Sequence, residues 1–177
     1  MFQKEDIKFA MSALTWGTME MEGEVKIEAT AKQMMDEVRL AGFDGIEAGM
    51  GFSFNDPQKL RMDLEKRGLV IPSLWYSGTL ISEPYDIVEK KFCRYLGFLE
   101  AIGTKIINYC EQSYTVQNQL DKAVVQDRYI MNDEEWKLLL EGLDKLGEVA
   151  NQRGFRITYH HHGGTVVMTE SDVDRLM

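Results

Sequence analysis

Cysteine is scarce in this chain, which has two in 177 residues, Cys93 and Cys110. Two cysteines cannot build the disulfide framework that stabilises small secreted domains. We therefore expect both thiols to be reduced and packed. The sequence also lacks a secretory signal and an apolar run of transmembrane length, which predicts a cytoplasmic protein that does not cross a membrane.

Basic residues are also few. The chain has 20 lysines and arginines and 29 acidic residues, which gives a formal net charge of -9. Nucleic acids and anionic membranes both attract clustered basic side chains. We therefore expect neither nucleic acid nor a membrane as a partner. The length, and a hydrophobic content of 44%, fit one globular domain with a buried core.

One local pattern recurs four times along the chain. A helical segment ends at a glycine, and a short apolar run follows within one or two residues, at Gly42, Gly68, Gly103 and Gly154. Glycine suits the left-handed position just past a helix C-terminus, because it has no Cβ to clash there. The pattern predicts repeated loops from a helix to a strand.

The segments between these loops predict alternating strands and helices. Strands are expected at 7–14, 45–48, 70–75, 105–110 and 156–160. Helices are expected to begin at the caps Asp56, Asn132 and Thr169. The expected helical core residues are Met34, Met35, Val38, Val88, Phe92, Tyr95, Leu96, Leu99, Trp136, Leu139, Leu140, Leu143 and Leu146.

Strict alternation implies parallel strands joined by right-handed crossovers, as in a barrel or an open sheet. No G-x-G-x-x-G motif follows the first strand, which disfavours an open dinucleotide-binding sheet. The predicted fold is therefore α/β, an incomplete parallel (β/α)8 TIM barrel of about five βα units. We expect residues 1–177 to be the N-terminal part of a single barrel domain, either a fragment of a longer protein or a true half-barrel.

In such a barrel, functional residues follow the C-terminal ends of the strands. Trp16 ends the first strand, and the aromatic pair Trp75 and Tyr76 ends the third, so all three are candidate substrate contacts or packed core residues. Glu47 ends the second strand and Glu111 the fourth. An acid within an apolar run is costly to bury unpaired, so each has a catalytic function or a basic partner.

All three histidines of the chain, His160, His161 and His162, follow the fifth strand. Because side chains alternate along a strand, His160 and His162 are expected on one side and His161 on the other. Two imidazoles near carboxylates suit a divalent ion such as Mn, Co or Zn. The alternative is one hydrogen-bonded core histidine with two surface neighbours. Gly163 would permit a close backbone approach to a ligand.

The segment YHHHGGT at 159–165, with AGFDGIE at 41–47, WYSG at 75–78 and DEEW at 133–136, resembles the inosose (2-keto-myo-inositol) dehydratases. These are xylose-isomerase-like TIM barrels, and the resemblance runs from the first strand to the last residue. DGIE is common to the wider superfamily, whereas the triple histidine is more specific.

The resemblance implies dehydration of a keto-inositol in inositol catabolism, assisted by a Mn or Co ion. We also expect the protein to be a homo-oligomer. It assigns His160 as metal ligand and His162 as substrate contact or acid/base. Glu111 and Glu47 would bind substrate hydroxyls or transfer protons.

Two features depart from the family. The remaining metal ligands of the superfamily, an Asp and a His among them, come from later strands, so this chain alone would hold a metal only loosely. The family also carries a lysine after the second-strand glutamate, where this chain has GMGFS at 49–53.

Two other functions stay open at this point. A sugar isomerase or epimerase of the same superfamily begins with the same enolate as the dehydratase, although a histidine at the fifth strand favours the dehydratase. An inactive half-barrel, acting as an oligomeric or binding module, would pair through its exposed strand edges.

Overall fold

The computed structural model describes residues 7–19, 25–49, 51–117 and 119–177. The strands are β1 (Ala10–Ser12), β2 (Gly17–Met19), β3 (Val25–Ile27), β4 (Gly45–Glu47), β5 (Ser73–Gly78), β6 (Ile106–Glu111) and β7 (Arg156–Tyr159). The helices are α1 (Ala31–Leu40), α2 (Pro57–Glu65), α3 (Tyr85–Ile102), α4 (Asp133–Gln152) and α5 (Glu170–Leu176).

The three predicted helix caps are confirmed. The Asp56 side chain accepts a hydrogen bond from Lys59 N at 2.9 Å, and Asn132 and Thr169 each form a reciprocal capping box with the acidic residue three positions on. Each cap satisfies backbone N–H groups that have no partner inside the helix. These local signals fix where α2, α4 and α5 begin.

The described residues fall into two compact units. The first contains the described part of 1–74 together with Gly97–Ile106, and the second contains Trp75–Leu96 and Ile107–Met177. In the first, β1 pairs with β4 in parallel, with Met11 opposite Ile46. In the second, β6 lies between β5 and β7, so the strand order follows the chain.

Two strand predictions need correction. The first strand, expected over 7–14, is β1 alone, because a 3₁₀ turn (Ala13–Trp16) follows it and Ser12 Oγ accepts from Leu14 N at 3.4 Å. The third, expected over 70–75, runs from Ser73 to Gly78, so Trp75 and Tyr76 lie inside the strand and do not end it. Val70 keeps only an isolated parallel bridge to Gly45. Pro72 has no N–H to donate to a ladder, which explains the interruption.

The antiparallel pair β2 and β3, with Gly17 opposite Ile27, was not predicted. Its turn lies outside the described residues. The two strands are only three residues long each, which is too short for a clear alternation of apolar and polar side chains.

The core residues predicted for the helices are largely confirmed. Val88, Phe92, Leu96 and Leu99 of α3 are all fully buried, whereas Tyr95 is half-buried. The other predicted residues that are buried are Met34, Met35, Val38, Trp136, Leu139 and Leu146, and those half-buried are Leu140 and Leu143. Cys93 and Cys110 are both free thiols, half-buried and buried respectively.

No helix in the described part of the chain is long and apolar enough to cross a bilayer.

Gly78, the last residue of β5, lies directly against the ring of Tyr109 on β6. A Cβ at this position would overlap the Tyr109 hydroxyl and ring carbons. Both residues are buried, and the ring is further held by a hydrogen bond from its hydroxyl to Glu111. The side chain therefore cannot yield without breaking other contacts.

We expect Gly78→Ala to lower the free energy of unfolding by about 3 kcal/mol, the upper range for overpacking a core. Urea unfolding followed by circular dichroism measures the change as a shift in midpoint at constant slope. The control is Gly147→Ala in α4, where an added Cβ meets nothing within 4 Å. That variant should gain about 0.5–1 kcal/mol from helix propensity. Equal stabilities for the two variants would contradict this account.

Candidate functional site

The second unit brings Trp75 of β5 together with His160 and His162, which follow β7. The Trp75 and His160 rings meet edge to face with their centroids 5.1 Å apart. The two imidazoles stack with centroids 5.7 Å apart and an angle of 22° between the planes. Trp75 also meets the His162 ring edge to face, at 6.3 Å. The expectation that His160 and His162 share one side therefore agrees with the structure, and we call these three side chains the histidine cluster.

Backbone hydrogen bonds hold His160 at the end of the sheet. Its N–H donates to the Tyr109 carbonyl oxygen at 2.7 Å, so the pairing of β7 with β6 continues one residue past the strand. The side chain itself is exposed. An accessible imidazole on a rigid strand end is well placed to bind a ligand.

The loop after β7 fixes the position of His162. The His162 carbonyl oxygen accepts from Thr165 Oγ1 at 2.7 Å and from Thr165 N at 3.2 Å, while its N–H donates to Val167 O at 3.3 Å. The Gln117 amide group contacts ring nitrogen Nδ1, and the Gly163 carbonyl oxygen lies 3.2 Å from the same nitrogen. The His162 ring is exposed even though its backbone is tied down on both sides.

Tyr76 does not lie in the histidine cluster. It follows Trp75 directly on β5 and therefore points to the other face of the sheet. There its ring meets Phe92 at 5.2 Å and Tyr95 at 4.9 Å, both on α3, and Tyr109 at 5.8 Å. Burial raises the pKa of Tyr76 to about 12. The predicted aromatic pair is thus divided between the two faces of β5.

Glu111 also lies away from the histidine cluster, on the face that carries Tyr109. Its side chain is fully buried. One carboxylate oxygen accepts from Tyr109 Oη at 2.7 Å and from Leu80 N at 3.0 Å, and the other accepts from Ser113 N at 3.2 Å. Burial, with the Glu111 carboxylate alongside, raises the pKa of the Tyr109 phenol well above its usual value and keeps it a donor. Glu111 therefore ties together the residues that follow β5 and β6.

Trp16 and Glu47 belong to the first unit. The Trp16 indole nitrogen donates to Glu37 Oε2 on α1 at 2.6 Å, and its ring is half-buried. Glu47 ends β4 opposite Ser12 of β1 and is also half-buried. Within this unit, Trp16 is held by a carboxylate of a neighbouring helix.

Sequence reasoning missed two residues whose side chains contact predicted site residues. Gln117 touches His162 from an irregular loop between β6 and α4, where no periodic pattern indicates a contact. Tyr109 precedes Glu111 by two residues on one strand, and this spacing could have indicated that the two side chains share a face.

The imidazole nitrogens of the histidine cluster are of a type that binds divalent ions. Imidazole nitrogen is a good ligand for zinc and for related transition metals. Within 7–19, 25–49, 51–117 and 119–177, no three His, Cys, Asp or Glu side chains are grouped so that they could hold a metal ion. His160 would thus supply one imidazole ligand, and a complete site needs further donors.

Proteins named inosose dehydratase are similar to the chain along its whole length. The one from Clostridium perfringens strain 13 is 39% identical over 172 residues, which covers 97% of this chain and 57% of that protein. The one from Clostridium botulinum strain Alaska E43 is 40% identical over 177 residues, covering 100% and 59%. The chain therefore spans less than two thirds of the length of these curated relatives. No family model matches the chain.

Solved structures confirm the predicted fold. The IolI protein, crystallised with a bound zinc atom, superposes with a TM-score of 0.67 at 14% identity, covering 96% of this chain and 59% of that one. A xylose isomerase-like TIM barrel protein from Mycobacterium smegmatis, in complex with magnesium, gives a TM-score of 0.63 at 19% identity, covering 99% and 62%. Apart from the antiparallel pair β2 and β3, the chain is thus α/β with parallel strands and has the fold of an incomplete (β/α) barrel.

Proposed function

We propose that this chain, a homologue of the inosose dehydratases, supplies part of the active site of a cytoplasmic, metal-assisted dehydratase acting on a keto-inositol. The observation that carries the proposal is the histidine cluster, in which two exposed imidazoles that follow β7 meet an indole from the middle of β5. In the proposal, the chain forms part of a single barrel domain. A small polyol or keto-sugar is its substrate, and the protein is a homo-oligomer.

His160 would hold the divalent ion, and His162 lies close enough to be its neighbour or to contact the substrate. A divalent ion such as Mn, Co or Zn would polarise the ketone oxygen and acidify the adjacent C–H bond. His162 would take the proton from that carbon, because an imidazole exchanges protons readily near neutral pH. Glu47 is the proposed second group, which would protonate the departing β-hydroxyl so that it leaves as water.

Trp75 and Gly163 would bind the substrate in this scheme. The Trp75 indole nitrogen donates to Ser77 Oγ at 2.9 Å, which fixes the ring beside His160. A fixed aromatic face suits the C–H surface of a cyclic polyol. Gly163, where an added Cβ would meet nothing within 4 Å, leaves open space beside the histidines. Trp16 and Tyr76 stay predicted substrate contacts, although each packs against a helix in this structure.

For Glu111, the geometry favours a positioning role over direct proton transfer. Three donors already occupy its two carboxylate oxygens, and no part of its side chain is exposed. We propose that it holds the residues after β5 and β6 in place, which indirectly orients Trp75.

The proposal predicts that the protein converts 2-keto-myo-inositol to a product that has lost one water. The activity should disappear after chelation and return when Mn, Co or Zn is added, because the enolate needs a positive charge at the ketone oxygen. Mass spectrometry of the product checks this, with the chelated protein as control. A product of unchanged mass would indicate an isomerase or epimerase instead. No turnover in a sample with bound metal would contradict any catalytic role.

A further inference from the structure

Nitrogen Nδ1 of His162 has two polar neighbours. The Gly163 carbonyl oxygen lies 3.2 Å away, and the Gln117 side chain contacts the nitrogen directly through the atom assigned as its amide nitrogen, Nε2. A carbonyl oxygen can only accept a hydrogen bond, whereas an amide can present either its oxygen or its NH2 group after a half-turn. As assigned, the amide nitrogen of Gln117 suits a lone pair on Nδ1, but that lone pair would face the lone pairs of the Gly163 carbonyl. A proton on Nδ1 satisfies the carbonyl, and a half-turn of the Gln117 amide then sets its oxygen against the same proton.

Gln117 is itself held in place by the loop after β7. Val116 N donates to Gly164 O at 2.9 Å, and Thr115 Oγ1 donates to the same oxygen at 3.3 Å. Gln117 N in turn donates to Thr115 Oγ1 at 3.1 Å. The backbone on which Gln117 stands is therefore joined to the loop that carries His162.

The contact between the two loops leaves little space for a side chain at Gly164, whose φ is +79°. A Cβ there would come within 3.3 Å of Gln117 N and of the Val116 side chain. The two loops therefore approach closely at this glycine, which keeps the amide group of Gln117 at the ring of His162.

We infer that Gln117 is a positioning residue that keeps the proton of neutral His162 on Nδ1. With the Gln117 amide in the turned orientation, its oxygen and the carbonyl oxygen of Gly163 share this proton, and Nε2 of His162 carries the lone pair. An imidazole with its second nitrogen fixed in this way presents one defined nitrogen for proton transfer or metal binding. The inference rests on the proposed function for its purpose, but the tautomer itself is a property of the free protein.

The test is nitrogen-15 NMR of the purified protein labelled at histidine, without metal or substrate. The spectra are recorded at about pH 8.5, roughly two units above the ordinary pKa of an imidazole. In a neutral ring, the nitrogen that carries the proton and the nitrogen that does not have different nitrogen-15 chemical shifts, so the spectrum reports the tautomer. The chain has three histidines, so His160→Gln and His161→Gln variants assign the His162 signals by elimination.

We expect the protonated nitrogen of His162 to be Nδ1 in the parent protein. In Gln117→Ala, the two ring shifts should move toward each other as both tautomers become populated. Gln117→Glu should restore the parent spectrum, because a carboxylate can only accept. A parent protein with the proton on Nε2, or an unchanged spectrum in Gln117→Ala, would overturn the inference. Neither result depends on dehydratase activity, so failure of the proposed function would be seen separately.

Discussion

Replacing Glu111 by alanine is expected to lower the free energy of unfolding by about 4 kcal/mol or more. The change leaves the Tyr109 hydroxyl, Leu80 N and Ser113 N without their acceptor in a fully buried position. Each such donor costs roughly 1–3 kcal/mol when its partner is removed. A cavity of carboxylate size adds to the loss.

Urea unfolding measures this loss, with Glu141→Ala as the matched control. Glu141 is exposed on α4, so its truncation should change stability by no more than about 0.5 kcal/mol. Glu111→Gln should fall between the two variants, because an amide keeps one accepting oxygen and sets its NH2 group against a donor. If Glu111→Ala were as stable as the control, the carboxylate would not be holding the residues after β5 and β6.

His160→Ala is expected to weaken divalent metal binding by at least about 100-fold in whichever form of the protein binds metal. Removing a partner that only orients a ligand typically costs 10–100-fold, and removing the ligand itself should cost more. Isothermal titration with Mn, Co or Zn measures the change. Because the His160 side chain is exposed, the substitution should leave the fold intact.

The matched control for this prediction is His161→Ala. His161 lies between the two clustered histidines in sequence, is exposed, and is expected on the other side of the chain. Its removal should change metal affinity by less than about threefold, within the scatter expected of a surface substitution. Equal losses in the two variants, or unchanged affinity in His160→Ala, would refute the assignment of His160 as a ligand.

Most of the fold could be predicted from the sequence because its signals are local. A cap such as Asn132 with Glu135, or a left-handed glycine such as Gly42 with φ +88°, is decided within one turn of chain. Where the predicted strand bounds were wrong, the backbone conformation next to the strand decided them. Pro72 delays β5, and the 3₁₀ turn after Ser12 shortens β1.

The candidate site was only partly predictable, for a different physical reason. Alternation along a strand correctly placed His160 and His162 on one side. The same rule separates Trp75 from Tyr76, yet sequence reasoning grouped them as an aromatic pair. The partners of Glu111 and the contact of Gln117 with His162 arise where separate loops meet, and no spacing within one segment encodes such contacts.

The most direct test of the proposed function is a titration of metal into the chelated protein, with bound metal and loss of water from 2-keto-myo-inositol measured in the same samples. The proposal predicts no turnover without metal and a rate that rises with bound ion to a plateau at about one ion per chain. Turnover in the metal-free protein, or full metal occupancy without loss of water, would contradict it.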